Sequence, residues 1–198
     1  MNQAAKGAAV FLDRDGTLIR EVHYLSAIEE IEVLPNVASA LRLLRAHGFK
    51  LVMVTNQSVV ARGALSEAGL HKIHAAIVGR LARAGAALDG IYYCPHHPTE
   101  GLGDYRIVCD CRKPKTGMIR RAVEDLRIDP ALSYVVGDQL TDIELARAVG
   151  ATGILVGRDD APKDGVARSN FPVVANLGAA AELIVERLGE SYRGTKSL

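Results

Sequence analysis

The stretch Val10-Phe11-Leu12-Asp13-Arg14-Asp15-Gly16-Thr17-Leu18 decides how the chain reads. A short apolar run breaks directly into two carboxylates two residues apart, followed by glycine, as a buried strand does when it ends in chemistry. In extended backbone alternate side chains point the same way. That puts Asp13 and Asp15 side by side at the strand's C-terminal end, where open α/β sheets bind their ligands. Neighbouring carboxylates repel unless a cation lies between them or one holds a proton. A strand followed by an Asp-Gly turn is the plainer reading of the same stretch, so the rest of the chain must arbitrate.

Residues 19–34 show no sustained period and read as a loop over the strand ends, too short for a large cap. Pro35-Asn36 then opens a helical pattern over 37–44, closed by His47-Gly48. The apolar run 50–54 suits a strand covered on both faces, and it also ends in polar groups, Thr55, Asn56, Gln57 and Ser58. Ser66 can cap a helix running to about Ala84. His71 and His74 lie one turn apart on it; on a mixed face they read as solvated and are given no role. A strand over 88–93 leads into a cysteine-bearing loop, 94–114. Beyond it come a helix at 117–126, a strand at 133–136 that breaks at Gly137-Asp138, a helix at 143–149 and a strand at 152–156. Val173-Val174 and a helix over 177–188 complete the pattern, with a flexible tail from about Gly189. Alternating strands and helices predict an α/β fold with a doubly wound, Rossmann-like parallel sheet, as one domain over 1–198.

Composition narrows the partners. Of 198 residues 48% are hydrophobic, enough for a substantial core. Lys+Arg at 24 against Asp+Glu at 23 leaves a formal charge of +1, so no global basic field gathers nucleic acid or anionic membrane. No stretch has the length of a membrane span and the first residues lack a targeting pattern, so a cytoplasmic monomer acting on a small molecule is expected. Three cysteines clustered near histidines suit a metal better than a disulfide scaffold.

Four strand ends share one character: Asp13 with Asp15, Thr55 with Asn56, Arg112-Lys113 after the cysteine loop, and Asp138 with Asp142. In a parallel sheet these ends converge on one edge. Together they supply carboxylates for a hard cation, a hydroxyl and amide for phosphate oxygens, and a lysine to offset charge. Cys94, Cys109 and Cys111 with an imidazole from Cys94-Pro95-His96-His97 form a set suited to tetrahedral Zn²⁺. The spacing Cys94 to His97 is the more ordinary one, so the choice between His96 and His97 stays open here.

The set Asp13-x-Asp15-Gly16-Thr17, Val54-Thr55-Asn56-Gln57, Arg112-Lys113-Pro114 and Gly137-Asp138-x-x-x-Asp142 resembles the four motifs of the haloacid dehalogenase superfamily of phosphohydrolases. The resemblance implies that Asp13 is the nucleophile and becomes an aspartyl phosphate, while Asp15 is the acid and base. It implies Mg²⁺ on Asp13, the Asp15 carbonyl and Asp138, with Lys113, Thr55 and Asn56 on the phosphoryl oxygens and Asp142 orienting the lysine or a metal-bound water. Cys-Pro-His-His-Pro, Cys-x-Cys-Arg-Lys-Pro and Thr-Asn-Gln-Ser-x-x-Ala-Arg-Gly are further similar to the heptose-1,7-bisphosphate 7-phosphatases of that superfamily, which favours His96 as the zinc ligand. Histidinol-phosphate phosphatases share the zinc loop and form the alternative. A sugar-phosphate binding protein without turnover is a further alternative, against which intact Asp13 and Asp15 argue. On this reading a phosphorylated sugar meets Gln57, Ser58, Arg62, His23 and Tyr24, and Arg112 takes a second phosphate.

Overall fold

A computed structural model of the chain describes residues 7–157 and 171–194. Six strands, β1 (Ala9–Leu12), β2 (Lys50–Asn56), β3 (Gly90–Cys94), β4 (Tyr134–Gly137), β5 (Thr152–Val156) and β6 (Val173–Val174), form one sheet in the order β3-β2-β1-β4-β5-β6. Every neighbouring pair is parallel, as crossover connections require. The helices are α1 (Val37–Ala46), α2 (Ser58–Ala61), α3 (Glu67–Arg83), α4 (Gly117–Leu126), α5 (Leu140–Val149) and α6 (Leu177–Gly194). The chain winds from β1 through β2 to β3 on one side and from β4 through β5 to β6 on the other. The order reverses between β1 and β4, which opens the crevice where such sheets hold ligands.

Strand alternation sorts the core into two halves. Val10, Leu12, Leu51 and Met53 point to the face covered by α1, α3 and α6, packing with Leu41, Leu44, Ile73, Ile77 and Ile184. Ala9, Phe11, Val52 and Val54 point to the other face, against Met118, Ile119, Ala122 and Leu145 of α4 and α5. Cover on both faces is why these strands read as unbroken apolar runs. In α1 the buried positions Val37, Ala40, Leu41 and Leu44 recur at helical spacing, and Gly48 supplies the left-handed residue after the helix end. Ser66 caps α3, its Oγ accepting from Gly69 N at 3.1 Å.

The loop over 19–34 forms no large cap. It buries Ile19, Leu25 and Ile31, and Arg80 of α3 pins it by donating to the carbonyls of Ile28 and Ile31. Other boundaries differ from the sequence reading. The short helix α2 was not expected; burial of Val59, Val60 and Ala61, next to Leu70, stabilises what local propensity does not announce. Helix α5 begins at Leu140 rather than Ile143, because the Asp142 carboxylate accepts the orphan Gln139 N–H at 3.2 Å. Helix α6 runs to Gly194, where a tail from about Gly189 was expected. Its apolar side, Leu177, Ala180, Ala181 and Ile184, belongs to the core, and that burial outweighs the weak helix preference of one glycine. Among the described residues no helix is long and apolar enough to cross a membrane.

Leu41 is fully buried on α1, far in sequence from every strand end. Leu41→Ala is expected to lower unfolding free energy by about 2–5 kcal/mol. Urea denaturation would check this, with the midpoint falling and the slope unchanged.

Candidate active site

At the end of β1 the Asp13 N–H bonds to Val136 O at 2.9 Å, so the ladder carries its side chain to the mouth of the α4–α5 face. There Lys113 Nζ lies 2.8 Å from Asp13 Oδ1, 2.7 Å from Asp142 Oδ1 and 3.1 Å from Val54 O. Three acceptors satisfy the three protons of a buried ammonium. Burial works to lower the Lys113 pKa, but Asp13 and Asp142 outweigh it and hold the group above the ordinary lysine value. The lysine's own backbone is held by Asn56, whose Oδ1 accepts from Lys113 N at 2.9 Å while its Nδ2 donates to Lys113 O at 3.2 Å. Asn56, expected on phosphoryl oxygens, thus spends its side chain on placing the lysine.

Asp13, Asp138 and Asp142 each present a carboxylate oxygen within 4.8 Å of the others, a group that could hold a metal ion. Burial first, and then the charge of Asp13, pushes Asp138 up to about 7. Burial also raises Asp142, with Lys113 pulling back. Crowded carboxylates that resist ionisation are what a hard divalent cation relieves. Asp142 is already engaged, by Lys113 on Oδ1 and by Gln139 N on Oδ2. Two glycines make the crowding possible. A Cβ on Gly16, whose φ is +70°, would stand 2.3 Å from Asp138 Oδ2, and one on Gly137 would stand 2.1 Å from Asp142 Oδ2.

Asp15 does not join this group as strand alternation led one to expect. Strand β1 stops at Leu12, and the backbone turns so that Leu18 N and Ile19 N both donate to Arg14 O. The Asp15 carboxylate instead receives Arg14 Nε at 3.0 and 3.1 Å and Arg14 Nη2 at 2.9 Å, with Gln57 Nε2 on Oδ2 at 2.9 Å. Gln57 Nε2 also lies 2.8 Å from Thr55 Oγ1, which accepts and keeps its own proton to donate. Gln57 was expected on the substrate; its amide instead ties Asp15 to Thr55.

In the cysteine loop the thiols of Cys94, Cys109 and Cys111 lie 3.2–3.5 Å apart, and His96 Nδ1 is 3.3 Å from Cys111 and 3.8 Å from Cys94. These separations are close to the edge of about 3.8 Å for a tetrahedron with metal–sulfur bonds of about 2.3 Å. Burial pushes the Cys94 thiol up, so a thiolate there requires a cation. His97 is turned away, its Nδ1 accepting from Glu100 N at 3.0 Å, and His96 completes the set. Arg112 follows directly and donates to His96 O at 3.0 Å.

Tyr24 and Arg62, distant in sequence, meet. The guanidinium lies 4.9 Å from the centre of the Tyr24 ring, His23 packs on the same ring at 4.1 Å, and Arg62 also pairs with Glu100 of the cysteine loop. Ser58 opens α2. Behind Asp138 a cavity of about 340 Å³ is lined by Gly16, Thr17, Arg20, Glu21 and Asn176.

Arg14 and His74 were given no role from sequence. Arg14 is 2% exposed and His74 4%. For Arg14 the signal was its position between two carboxylates; nothing in the helical pattern separated His74 from its exposed neighbour His71, which bonds Tyr93 OH at 2.7 Å.

The HAD-hydrolase-like family model matches residues 110–180. A Haemophilus ducreyi protein named D-glycero-beta-D-manno-heptose-1,7-bisphosphate 7-phosphatase is 49% identical over 150 residues, 75% of this chain and 82% of that protein. A protein of the same name from Escherichia coli K12 is 40% identical over 189 residues, 95% of this chain and 93% of its own. Among solved structures, the D,D-heptose 1,7-bisphosphate phosphatase from B. bronchiseptica, complexed with magnesium and phosphate, gives a TM-score of 0.76 at 30% identity, covering 91% of this chain and 98% of its own. The D,D-heptose 1,7-bisphosphate phosphatase from Burkholderia thailandensis gives 0.63 at 27% identity, covering 89% and 97%.

Burial, and then the charges of Arg14 and His71, lower His74 from 6.5 to about 3. Between those values the unfolded chain binds a proton that the folded one refuses, so stability is full above about pH 6.5 and falls as pH drops toward 3. His74→Phe is expected to flatten that part of the acid limb, measured by urea denaturation from pH 7 to pH 4.

Proposed function

Since the chain belongs to the family of D-glycero-beta-D-manno-heptose-1,7-bisphosphate 7-phosphatases, within the haloacid dehalogenase-like hydrolases, we propose that it removes the 7-phosphate of a heptose 1,7-bisphosphate through an aspartyl phosphate on Asp13. The observation that carries this reading is the buried Lys113 shared by Asp13 and Asp142, with Asp138 beside them, at the crevice between β1 and β4. An ammonium held 2.8 Å from a carboxylate oxygen turns that carboxylate toward one place and stands ready to share the oxygens of an incoming phosphate.

Asp13 supplies the oxygen that bonds to phosphorus as the sugar oxygen leaves, and Asp15 gives that oxygen a proton. Asp15 then takes a proton from the water whose oxygen attacks phosphorus, and the bond to Asp13 breaks to release phosphate. Lys113 and the Thr55 hydroxyl stabilise charge on the phosphoryl oxygens throughout. The carboxylates of Asp13 and Asp138 with the Asp15 carbonyl would hold Mg²⁺, which neutralises a dianion that these carboxylates would otherwise repel. Cys94, His96, Cys109 and Cys111 would hold Zn²⁺ as a closed structural site, bracing the backbone that delivers Arg112 and Lys113. Arg112 is the partner for the second phosphate, with Arg62, Tyr24, His23 and Ser58 along the sugar.

Asp13→Asn is expected to abolish turnover while the fold is kept, and beryllium fluoride should form its adduct on Asp13 of the native enzyme. An adduct elsewhere would reject the assignment. In phosphate-release kinetics a heptose 1,7-bisphosphate should react much faster than simple monophosphates. Arg112→Ala should narrow the gap chiefly through KM. Histidinol phosphate as the better substrate, with Arg112→Ala acting equally on both, would replace the heptose reading and leave the phosphatase one intact.

Arg112 bonds the carbonyl of His96, so zinc removal is expected to resemble loss of Arg112. Stripping zinc with a chelator and restoring Mg²⁺ should raise KM for the bisphosphate more than for a monophosphate, and added Zn²⁺ should reverse the change.

A further inference from the structure

Asp15 is held by a charged neighbour whose own surroundings are unusual. Arg14 closes a fork on Asp15 with Nε and Nη2, but Nη1 is a buried polar atom without a hydrogen-bond partner among the described residues. Arg14 lies past the end of β1, buried, while on β2 Thr55 continues the face of Leu51 and Met53. Tyr93 lies opposite Thr55 on β3, and its ring meets that of His74, edge to face, with centroids 5.5 Å apart. His74 Nε2 is likewise buried and without a partner among the described residues. A donor lacking an acceptor and an imidazole nitrogen lacking a donor thus lie buried within electrostatic reach of each other. Burial, and then the Arg14 charge, keep the imidazole neutral, so that one ring nitrogen carries a free lone pair. The two atoms do not bond each other; in a dry interior each is unfavourable alone, and one offers the proton that the other lacks.

We propose that Arg14 is a positioning residue for Asp15, set from behind by the imidazole of His74, and that it serves the second half of the reaction. The proposal rests on the acid–base reading of Asp15. Arg14 and Gln57 put N–H donors on both Asp15 oxygens, which fixes the plane of the carboxylate; three donated protons against about four lone-pair sites leave room to accept one more. That is the arrangement for accepting a proton. As the water oxygen bonds to phosphorus, its proton passes to Asp15. The electrons of the phosphorus–oxygen bond return to the Asp13 carboxylate, and inorganic phosphate leaves. A carboxylate free to rotate would slow this step more than the first, whenever the leaving group needs no proton.

The test uses p-nitrophenyl phosphate with Mg²⁺, because nitrophenolate departs without an acid. Arg14→Gln, and Arg14→Lys, which keeps the charge but loses the fork, should show a burst of nitrophenol approaching one equivalent per enzyme and larger than the native one. Steady turnover should then be at least about tenfold slower than native, since general-base catalysis contributes about 10²–10⁴. The KM should fall in parallel. His74→Phe should give a smaller burst, and His74→Gln, which keeps an acceptor, should behave as native. Folded Arg14 variants with no enlarged burst would overturn the proposal. If circular dichroism shows both unfolded, His74→Phe decides alone: an enlarged burst supports the proposal and none overturns it. Asp15→Asn separates the two readings. A burst there, with none in the Arg14 variants, rejects only the role of Arg14; no burst in Asp15→Asn rejects the acid–base reading itself.

Discussion

The buried ammonium of Lys113 is the constraint from which the site follows. Removing one partner of such a group leaves an uncompensated charge in the interior, at a cost of about 3–5 kcal/mol. Its two carboxylates come from opposite ends of the chain's winding: Asp13 follows β1, and Asp142 sits in the first turn of α5 after β4. The lysine therefore joins the two halves of the sheet where their order reverses. It also leaves the cluster short of positive charge, since Asp138 stands beside the same pair and is raised to about 7 by burial and by Asp13. A divalent cation offsets that imbalance.

Holding Lys113 requires an unusual delivery. It arrives on no regular element but on the stretch after Cys111, so its placement depends on how that loop is braced. Asn56 grips its backbone from β2, and the Cys/His set, a group that could hold a metal ion, lies just before it. A second brace comes from Glu67 at the start of α3, whose carboxylate accepts Tyr93 OH at 2.6 Å and Tyr105 OH at 2.9 Å. Those two hydrogen bonds, Tyr93 first, lower the Glu67 pKa, so the brace is a charged acceptor held by neutral donors. The loop is thereby tied to both the sheet and the helix covering it, without a large hydrophobic core of its own.

The two motif carboxylates, though only two residues apart, belong to different electrostatic neighbourhoods. Asp13 lies with Lys113 and the other aspartates on the α4–α5 side, and Asp15 is gathered by Arg14 and Gln57 toward the α3 side. Their environments differ more than their positions do, which is the condition for two carboxylates to take different roles.

The sequence by itself determined the parallel α/β sheet, since period and alternation are local and each strand's apolar run records cover on both faces. It also determined the motif around Asp13, Lys113, Asp138, Asp142 and the three thiols as the residues to look at, because glycine and charge at strand ends leave a mark that needs no long-range knowledge. Only the tertiary structure decided that Asn56 holds the lysine backbone and that Asp15 turns from Asp13 toward Arg14, and it brings to the thiols His96, which the motif resemblance favours and spacing left open against His97. Each depends on where a chain leaves extended geometry, and a period of two says nothing past the residue where the strand stops. The burial of His74 was equally illegible, because its exposed neighbour His71 shares the same helical pattern and only the sheet beneath distinguishes them.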